Sequence, residues 1–380
     1  MIVHIITGLN RGGAEHALYR LVSQESDPAR VRVVSLTDGG IFQQRFEALG
    51  IHVACLHMRA GLPSPLKWWR LVRLLRAWRP RLVQTWMYHA DLLGGAAATL
   101  AGIPVCWGIR NSELSQRSSK YTTRLVAWLC ARSSRRIPAR AISCSARAAD
   151  IHRALGYAVP FEVVPNGLDV TAWVPRVDQR GPVRMELALP AHAFVFAHAG
   201  RNDPQKDHAT LARAFSKVHA MEPLARLLMC GQGLLPGHAY FEDLPFTQTA
   251  RSGVLALGPR DDLPQLWQAA DAFVLSSSYG EAFPNVVAEA MASGLPAVVT
   301  DVGDASEIVG ETGQVVPPMN EQALAQAMLE LMRMPDDERH RLGAAARERV
   351  QTRFTLARMS AGFRRVWDEV LAEDGNRCAD

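Results

Sequence analysis

No apolar run in the sequence approaches the roughly 18 residues that a bilayer-spanning helix needs, so no transmembrane segment is expected. The first residues, Met1-Ile2-Val3-His4-Ile5-Ile6-Thr7-Gly8, lack the basic region of a signal peptide and predict a first buried strand. Six cysteines stand at 55, 106, 130, 144, 230 and 378 with no Cys-x-x-Cys and no regular spacing. That pattern predicts reduced, structural thiols in a cytoplasmic protein. Asp-x-Asp is absent and no His/Cys/carboxylate cluster has metal-ligand spacing, so neither a metal nor a cofactor is expected. A G-x-G-x-x-G fingerprint and a Walker A lysine are missing as well, which removes two common nucleotide-loop classes. With no zinc-finger or aromatic RNA-binding motif, no nucleic-acid partner is expected.

What is present is globular. The chain of 380 residues is long enough for two ordinary domains, and 48% apolar with 21% charged residues is the composition of a packed protein. Charge is unevenly placed: residues 1–180 carry 24 Lys+Arg against 11 Asp+Glu, or +13, which leaves 18 against 26, or −8, for the rest. A basic half without nucleic-acid motifs points to a membrane surface or an anionic substrate. Strand-like runs alternate with helical ones along both halves, which predicts parallel sheets covered by helices.

The most informative stretch is Gly280-Glu281-Ala282-Phe283-Pro284-Asn285-Val286-Val287-Ala288-Glu289-Ala290, continued by Met291-Ala292-Ser293-Gly294. The apolar run Ala272–Leu275 leads through Ser276-Ser277-Ser278-Tyr279-Gly280 to a helix start, with Pro284 expected at the first helical position. Backbone N–H groups of Phe283, Asn285 and Val286 then face out of a helix N-terminus, a setting that attracts phosphate. Glu281 and Glu289 flank that end, and Glu289 shares a helix face with Asn285. Carboxylates beside phosphate are better used on neutral sugar hydroxyls, and a nucleotide sugar carries hydroxyls on both sides of its diphosphate. The Glu-x7-Glu spacing and the PNVVAEAMASG continuation resemble a retaining glycosyltransferase of the GT-B fold, family 4 (glycosyl transferases group 1).

That resemblance implies an α/β protein with two Rossmann-like domains facing across a cleft. The expected division is an acceptor-side domain over 1–170, a linker over 171–190, a nucleotide-sugar domain over 191–354, and a last helix over 355–380 that returns to the first domain. After the strand Phe194–Ala199, the loop Gly200-Arg201-Asn202-Asp203-Pro204-Gln205-Lys206-Asp207 carries two cations five residues apart. In the family such an Arg and Lys clamp the donor diphosphate, so Arg201, Lys206 and Glu281 are the implied catalytic residues. Gly12 and Gly13, in a turn resembling the family's GGAE loop, join Arg260, Phe283, Asn285, Val286 and Glu289 as implied donor-binding residues. Val163-Val164-Pro165-Asn166-Gly167-Leu168-Asp169 resembles the segment where family members pass between domains. Two positions depart from the pattern. Ala282 stands where a glycine usually follows the first glutamate, and Arg110 with Asn111 replaces a strand-end histidine. His89, Arg110 and Asn111 are the acceptor-side candidates.

From Leu66 to Arg79 a helix is expected in which Lys67, Arg70, Arg73, Arg76 and Arg79 alternate with Trp68, Trp69, Leu71, Val72, Leu74, Leu75 and Trp78. It either covers the sheet or lies on an anionic bilayer, and the two are compatible. A second basic run includes Arg117, Lys120, Arg124, Arg132, Arg135, Arg136, Arg140 and Arg147. The expected activity is hexosyl transfer from a nucleoside-diphosphate sugar, a UDP-sugar first among them, to a saccharide or lipid-linked saccharide. The setting is cell-surface polysaccharide or lipopolysaccharide synthesis at the inner face of the membrane. An epimerase or hydrolase on the same fold, or a non-catalytic scaffold, are the alternatives.

Overall fold

The computed structural model describes residues 1–10, 12–59, 64–112 and 121–377. They form two compact units: Met1–Gly167 with Leu356–Asp380, and Leu168–Thr355. Arg11, Arg117, Lys120 and Cys378 lie outside the described residues, and the five described cysteines are free thiols.

Unit 1 is built on the strands β1 (Ile2–Ile6), β2 (Val31–Ser35), β3 (His52–Cys55), β4 (Leu82–Trp86), β5 (Val105–Ile109), β6 (Arg140–Ser143) and β7 (Phe161–Val163). They pair in the order β3-β2-β1-β4-β5-β6-β7, every pair parallel. Ile2 is flanked by Val31 on one side and Leu82 on the other, so the order of the chain reverses across β1 and β4. Open parallel sheets hold ligands at the carboxyl ends of their strands, at such a reversal. One face is packed by Leu18, Phe42, Phe46 and Trp86 together with Met359, Phe363, Val366 and Trp367 of the last helix, Leu356–Arg377. Phe363 stacks on Trp86 at 5.7 Å, and the Trp367 indole N–H donates to Gln84 Oε1 at 3.0 Å. The chain's end is therefore part of the first unit's core.

Unit 2 repeats the plan with β8 (Phe194–Ala199), β9 (Ala225–Cys230), β10 (Val254–Ala256), β11 (Ala272–Leu275), β12 (Ala297–Thr300) and β13 (Gly313–Val316), in the order β10-β9-β8-β11-β12-β13. Here the reversal falls across β8 and β11. Its helices follow from apolar spacing: in Glu321–Arg333 the buried Leu324, Ala325, Met328 and Leu331 line one face, and the Asn320 side chain caps the start by accepting from the Ala323 N–H.

Two expectations are corrected. Residues 171–190 are not a bare linker, because they hold the helix Val177–Glu186, which contains Pro182. Its Arg180 pairs with Asp271 at 2.5 Å and its Arg184 donates to the Ala269 carbonyl at 3.0 Å, so the arginines that gave the segment a linker-like composition fasten it to unit 2. Pro284 is the residue before the helix, at φ −71 and ψ 92, and the helix proper is Asn285–Ala292. A proline ring tolerates either place, since both lack a required N–H.

Candidate functional site

The loops after β8 and β11 meet at the reversal in unit 2. In the first, the Asp203 carboxylate accepts from the Gln205 N–H and caps the short turn Pro204–Lys206. The carboxylate of Asp207, at φ 45, accepts from the Thr210 N–H and caps the helix His208–Met221. These caps fix the backbone between two cations. In the second loop, Ser278 N–H donates to the Gln205 carbonyl and Ser276 Oγ to the Lys206 carbonyl, each at 2.8 Å. The loops are thus stitched to each other as well as to the sheet.

Lys206 and Glu281 form the ion pair at the centre of this arrangement, with side chains only 12% and 9% exposed. Ser277 Oγ donates to the same Glu281 oxygen at 2.8 Å, and Thr300 Oγ1 holds the Ser277 carbonyl at 2.6 Å. A buried pair of this kind is maintained only when hydrogen bonds complement it, since desolvation offsets much of the attraction. Close packing continues beneath it: Gly303 has φ 58, and a Cβ there would stand 2.0 Å from the Glu281 carbonyl. Ala282 is buried and does not take a positive φ, so the missing glycine at that position costs the loop nothing.

The other residues of unit 2 expected at the donor are held by their own local contacts. Arg201 is more exposed, its guanidinium held by Asp203 Oδ2 at 3.0–3.1 Å. Glu289 is buried one turn along from Asn285 in the same helix, and Val286 is half-buried. Phe283 is buried edge-on against Phe354 at 5.4 Å. Arg260 makes a two-point pair with Asp262, at 2.7 and 2.6 Å, just beyond β10. A lysine, an arginine and a helix N-terminus together suit a polyanion, and the glutamates suit hydroxyl donors.

In unit 1, Gly12 precedes the helix Gly13–Val22 in extended conformation, and a Cβ on Gly13 would meet nothing within 4 Å. The protein itself therefore does not require glycine at 13. At the end of β4, Met87 is held at φ 72 and ψ 157, a costly backbone state for a side-chain-bearing residue. It launches the helix Tyr88–Leu100. His89 is half-buried, which lowers its pKa, while Tyr88 Oη lies 2.9 Å from His152 Nε2. Arg110, after β5, stacks over Trp86 at 4.5 Å and Phe363 at 5.3 Å and donates to Asn166 Oδ1 at 2.9 Å, with Asn111 half-buried beside it.

Sequence reasoning did not single out Ser277, Asp91 or the Arg110–Asn166 contact. Asp91 is fully buried; its Oδ1 accepts from Thr85 Oγ1 at 2.5 Å and Gly108 N–H at 3.3 Å, and burial pushes its pKa up to about 8. A carboxylate in the first turn of an otherwise apolar helix was the available signal. Among the described residues, no group of three or more His, Cys, Asp or Glu could hold a metal ion.

Known proteins match both units. Residues 11–172 match the family model described as Glycosyltransferase Family 4, and residues 193–334 that of Glycosyl transferases group 1. EpsF of Bacillus subtilis strain 168 is 28% identical over 314 residues, 79% of each chain. The UDP-Gal:alpha-D-GlcNAc-diphosphoundecaprenol alpha-1,3-galactosyltransferase of Escherichia coli is 27% identical over 248 residues, 61% of this chain and 60% of that one. Among solved structures, Anabaena HepE in complex with UDP superposes with a TM-score of 0.84 at 22% identity, covering 97% of this chain and 99% of that one. With one enzyme class matching the sequence of each unit and the same two-sheet architecture throughout, the chain belongs to the glycosyltransferases of family 4, group 1, on the GT-B fold.

Proposed function

We propose that the enzyme transfers a hexosyl group from a nucleoside-diphosphate sugar, specifically a UDP-sugar, to a saccharide or lipid-linked saccharide with retention at the anomeric carbon. The product would belong to a cell-surface polysaccharide or lipopolysaccharide. The observation that carries this reading is the Lys206–Glu281 contact at the strand reversal of unit 2, beside the N-terminus of Asn285–Ala292. Lys206 and Arg201 would take up the charge that develops on the departing diphosphate, helped by the N–H groups of Phe283, Asn285 and Val286. Glu281 would accept from a hydroxyl of the transferred sugar and Glu289 from the ribose, with Arg260 toward the base. The protein's own cations supply the charge stabilisation, so the reading needs no metal. Same-face attack within a tight ion pair is the favoured course, and His89, Arg110 and Asn111 are assigned to the acceptor.

Thermal-shift and hydrolysis measurements against UDP-, GDP- and ADP-sugars in EDTA test this. The expected result is stabilisation by UDP and a UDP-sugar without divalent metal. Loss of binding in EDTA would overturn the metal-independent model, and an isomerised sugar nucleotide in place of transfer or hydrolysis would make the protein an epimerase.

A second reading concerns where the acceptor is met. The helices Pro65–Trp78 and Tyr121–Ser133 both pack on Tyr88–Leu100, yet Leu66 is 84%, Trp69 50% and Trp128 57% exposed, and Arg70, Arg73 and Arg132 stand exposed on the same two helices. Leu71, Val72 and Leu75 bury the other side of Pro65–Trp78, so that helix does cover the fold. Exposed indoles with arginines favour reversible attachment to an anionic leaflet. No helix of the described residues is long and apolar enough to cross a membrane.

A further inference from the structure

Beneath the loops that carry Arg201, Lys206 and Glu281 lies a chain of side chains that the proposed chemistry does not use. His198 on β8 and His208, the first residue of His208–Met221, are both fully buried. His198 Nδ1 lies 2.9 Å from the Val274 carbonyl on β11, and a carbonyl only accepts, so this nitrogen carries the proton. Its Nε2 is then the acceptor for His208 Nε2–H, also at 2.9 Å. His208 Nδ1 is left to accept from the Tyr240 hydroxyl at 2.8 Å. All four ring nitrogens are thereby satisfied with both rings neutral. Burial holds His198 down to about 4 and His208 down to about 2.

The place of this chain matters more than its burial. A Cβ on Gly200 would stand 3.2 Å from His198 Nε2 and 3.3 Å from Lys206 Cγ and Cδ, so the imidazole and the lysine stem crowd the same loop residue. At its other end His198 grips β11 one residue before that strand finishes, and the loop beyond it leads to Glu281. The chain thus joins β8, β11, the start of His208–Met221 and the helix Ala239–Glu242. An apolar core would fill this space but would not fix the two strand ends in one direction.

We propose that His198, His208 and Tyr240 are positioning residues for the diphosphate clamp, fixing the β8 loop against β11 so that Lys206 serves both Glu281 and the donor diphosphate. This rests on the donor reading above. If the chain were only core, its loss would lower stability and leave the folded protein's ligand affinity unchanged.

Calorimetric titration of the full-length protein with UDP and with uridine, in EDTA, separates the two. His208→Leu is expected to weaken UDP about tenfold, the equivalent of one good hydrogen bond, and uridine less than twofold. His208→Gln, which keeps an N–H donor for His198, is expected to recover most of that loss. Tyr240→Phe removes a single half-buried hydroxyl, so it keeps a folded variant in hand, and a loss of about threefold for UDP is expected. Unchanged UDP affinity in folded Tyr240→Phe and His208→Leu, or equal weakening of UDP and uridine, overturns the proposal. If the unaltered protein binds no UDP, the donor reading fails and the proposal falls with it. If it binds UDP and Arg201→Ala abolishes this while the His208 and Tyr240 variants bind as before, the positioning role alone is wrong.

Discussion

In both units the first strand sits between the second strand and a later one, and the chain reverses across that junction. What the two sheets place there differs. Unit 2 brings together Lys206, Glu281 and Ser277, stitched by loop-to-loop hydrogen bonds over a neutral histidine pair. Unit 1 places a strained Met87, a buried Asp91 and an Arg110 lying against the Trp86 and Phe363 rings, and carries exposed Arg70, Arg73 and Arg132 on the helices Pro65–Trp78 and Tyr121–Ser133. One backbone plan therefore supports a pre-assembled charged site and a more apolar one. The loops, not the sheet, decide which.

The largest test of this comparison concerns how each unit is held together. Phe363→Ala should destabilise unit 1 by about 3–5 kcal/mol in denaturant melts, as large-to-small core changes do. Phe215→Ala in unit 2, also fully buried, should cost a similar amount without affecting the first transition. An unchanged melt for Phe363→Ala would make the last helix an appendage.

Next in size is the clamp itself. Lys206→Ala should lower kcat/KM by on the order of 3 kcal/mol, as for other preorganised charge stabilisers. Glu281→Gln should reduce turnover while sparing UDP affinity, and Glu289→Gln should weaken UDP. Equal losses of UDP binding in both glutamate variants would remove the division of roles, and an equal loss of kcat/KM in His89→Ala would erase the contrast between the units.

The pH response should then carry opposite signs. His198 and His208 have depressed pKa values in the fold, so their contribution is complete above about pH 6.5 and is lost as pH falls through about 4 for His198 and about 2 for His208, at up to about 1.4 kcal/mol per pH unit for each. Asp91 is raised to about 8, so its contribution is complete below its ordinary value and is lost as pH rises through about 8. Melting temperatures between pH 4.5 and 8.5 should show Asp91→Asn flattening the alkaline side and His208→Gln the acid side. Buried His4, held down to about 3 in unit 1, keeps some acid sensitivity in every variant.

The smallest effect is expected at the outer face of unit 1. Trp69→Ser with Arg70→Ser and Arg73→Ser should weaken sedimentation with anionic vesicles, each arginine contributing about 1 kcal/mol or less and the whole effect fading with salt. Lys67 is left out because its ammonium is already bound to the His57 carbonyl. Vesicle binding indifferent to lipid charge would leave Pro65–Trp78 as cover for the fold alone.

Local pattern carried much of this into the sequence. Alternating apolar runs mark parallel strands and their helices, and glycines with caps mark where β8 and β11 hand over to loops, because burial periodicity and backbone freedom are properties of a few neighbouring residues. Glu281 and Glu289 could be placed about a helix start for the same reason, whereas the roles of Arg201 and Lys206 came from the family resemblance. Less legible were features whose partners are remote. Residues 171–190 looked like a linker until Arg180 met Asp271, 91 positions away. Arg110 looked like a substituted histidine until Asn166 and Phe363 closed around it.

The sequence by itself determined that the protein has two α/β halves of opposite charge, a phosphate-ready helix start and a cation pair after a strand. Only the tertiary structure decided that Lys206 and Glu281, separated by 75 residues, would meet, and that His198 and His208 would stand beneath them. The reason is the strand order. A crossover places β11 beside β8, and no local periodicity encodes which strands become neighbours in a parallel sheet.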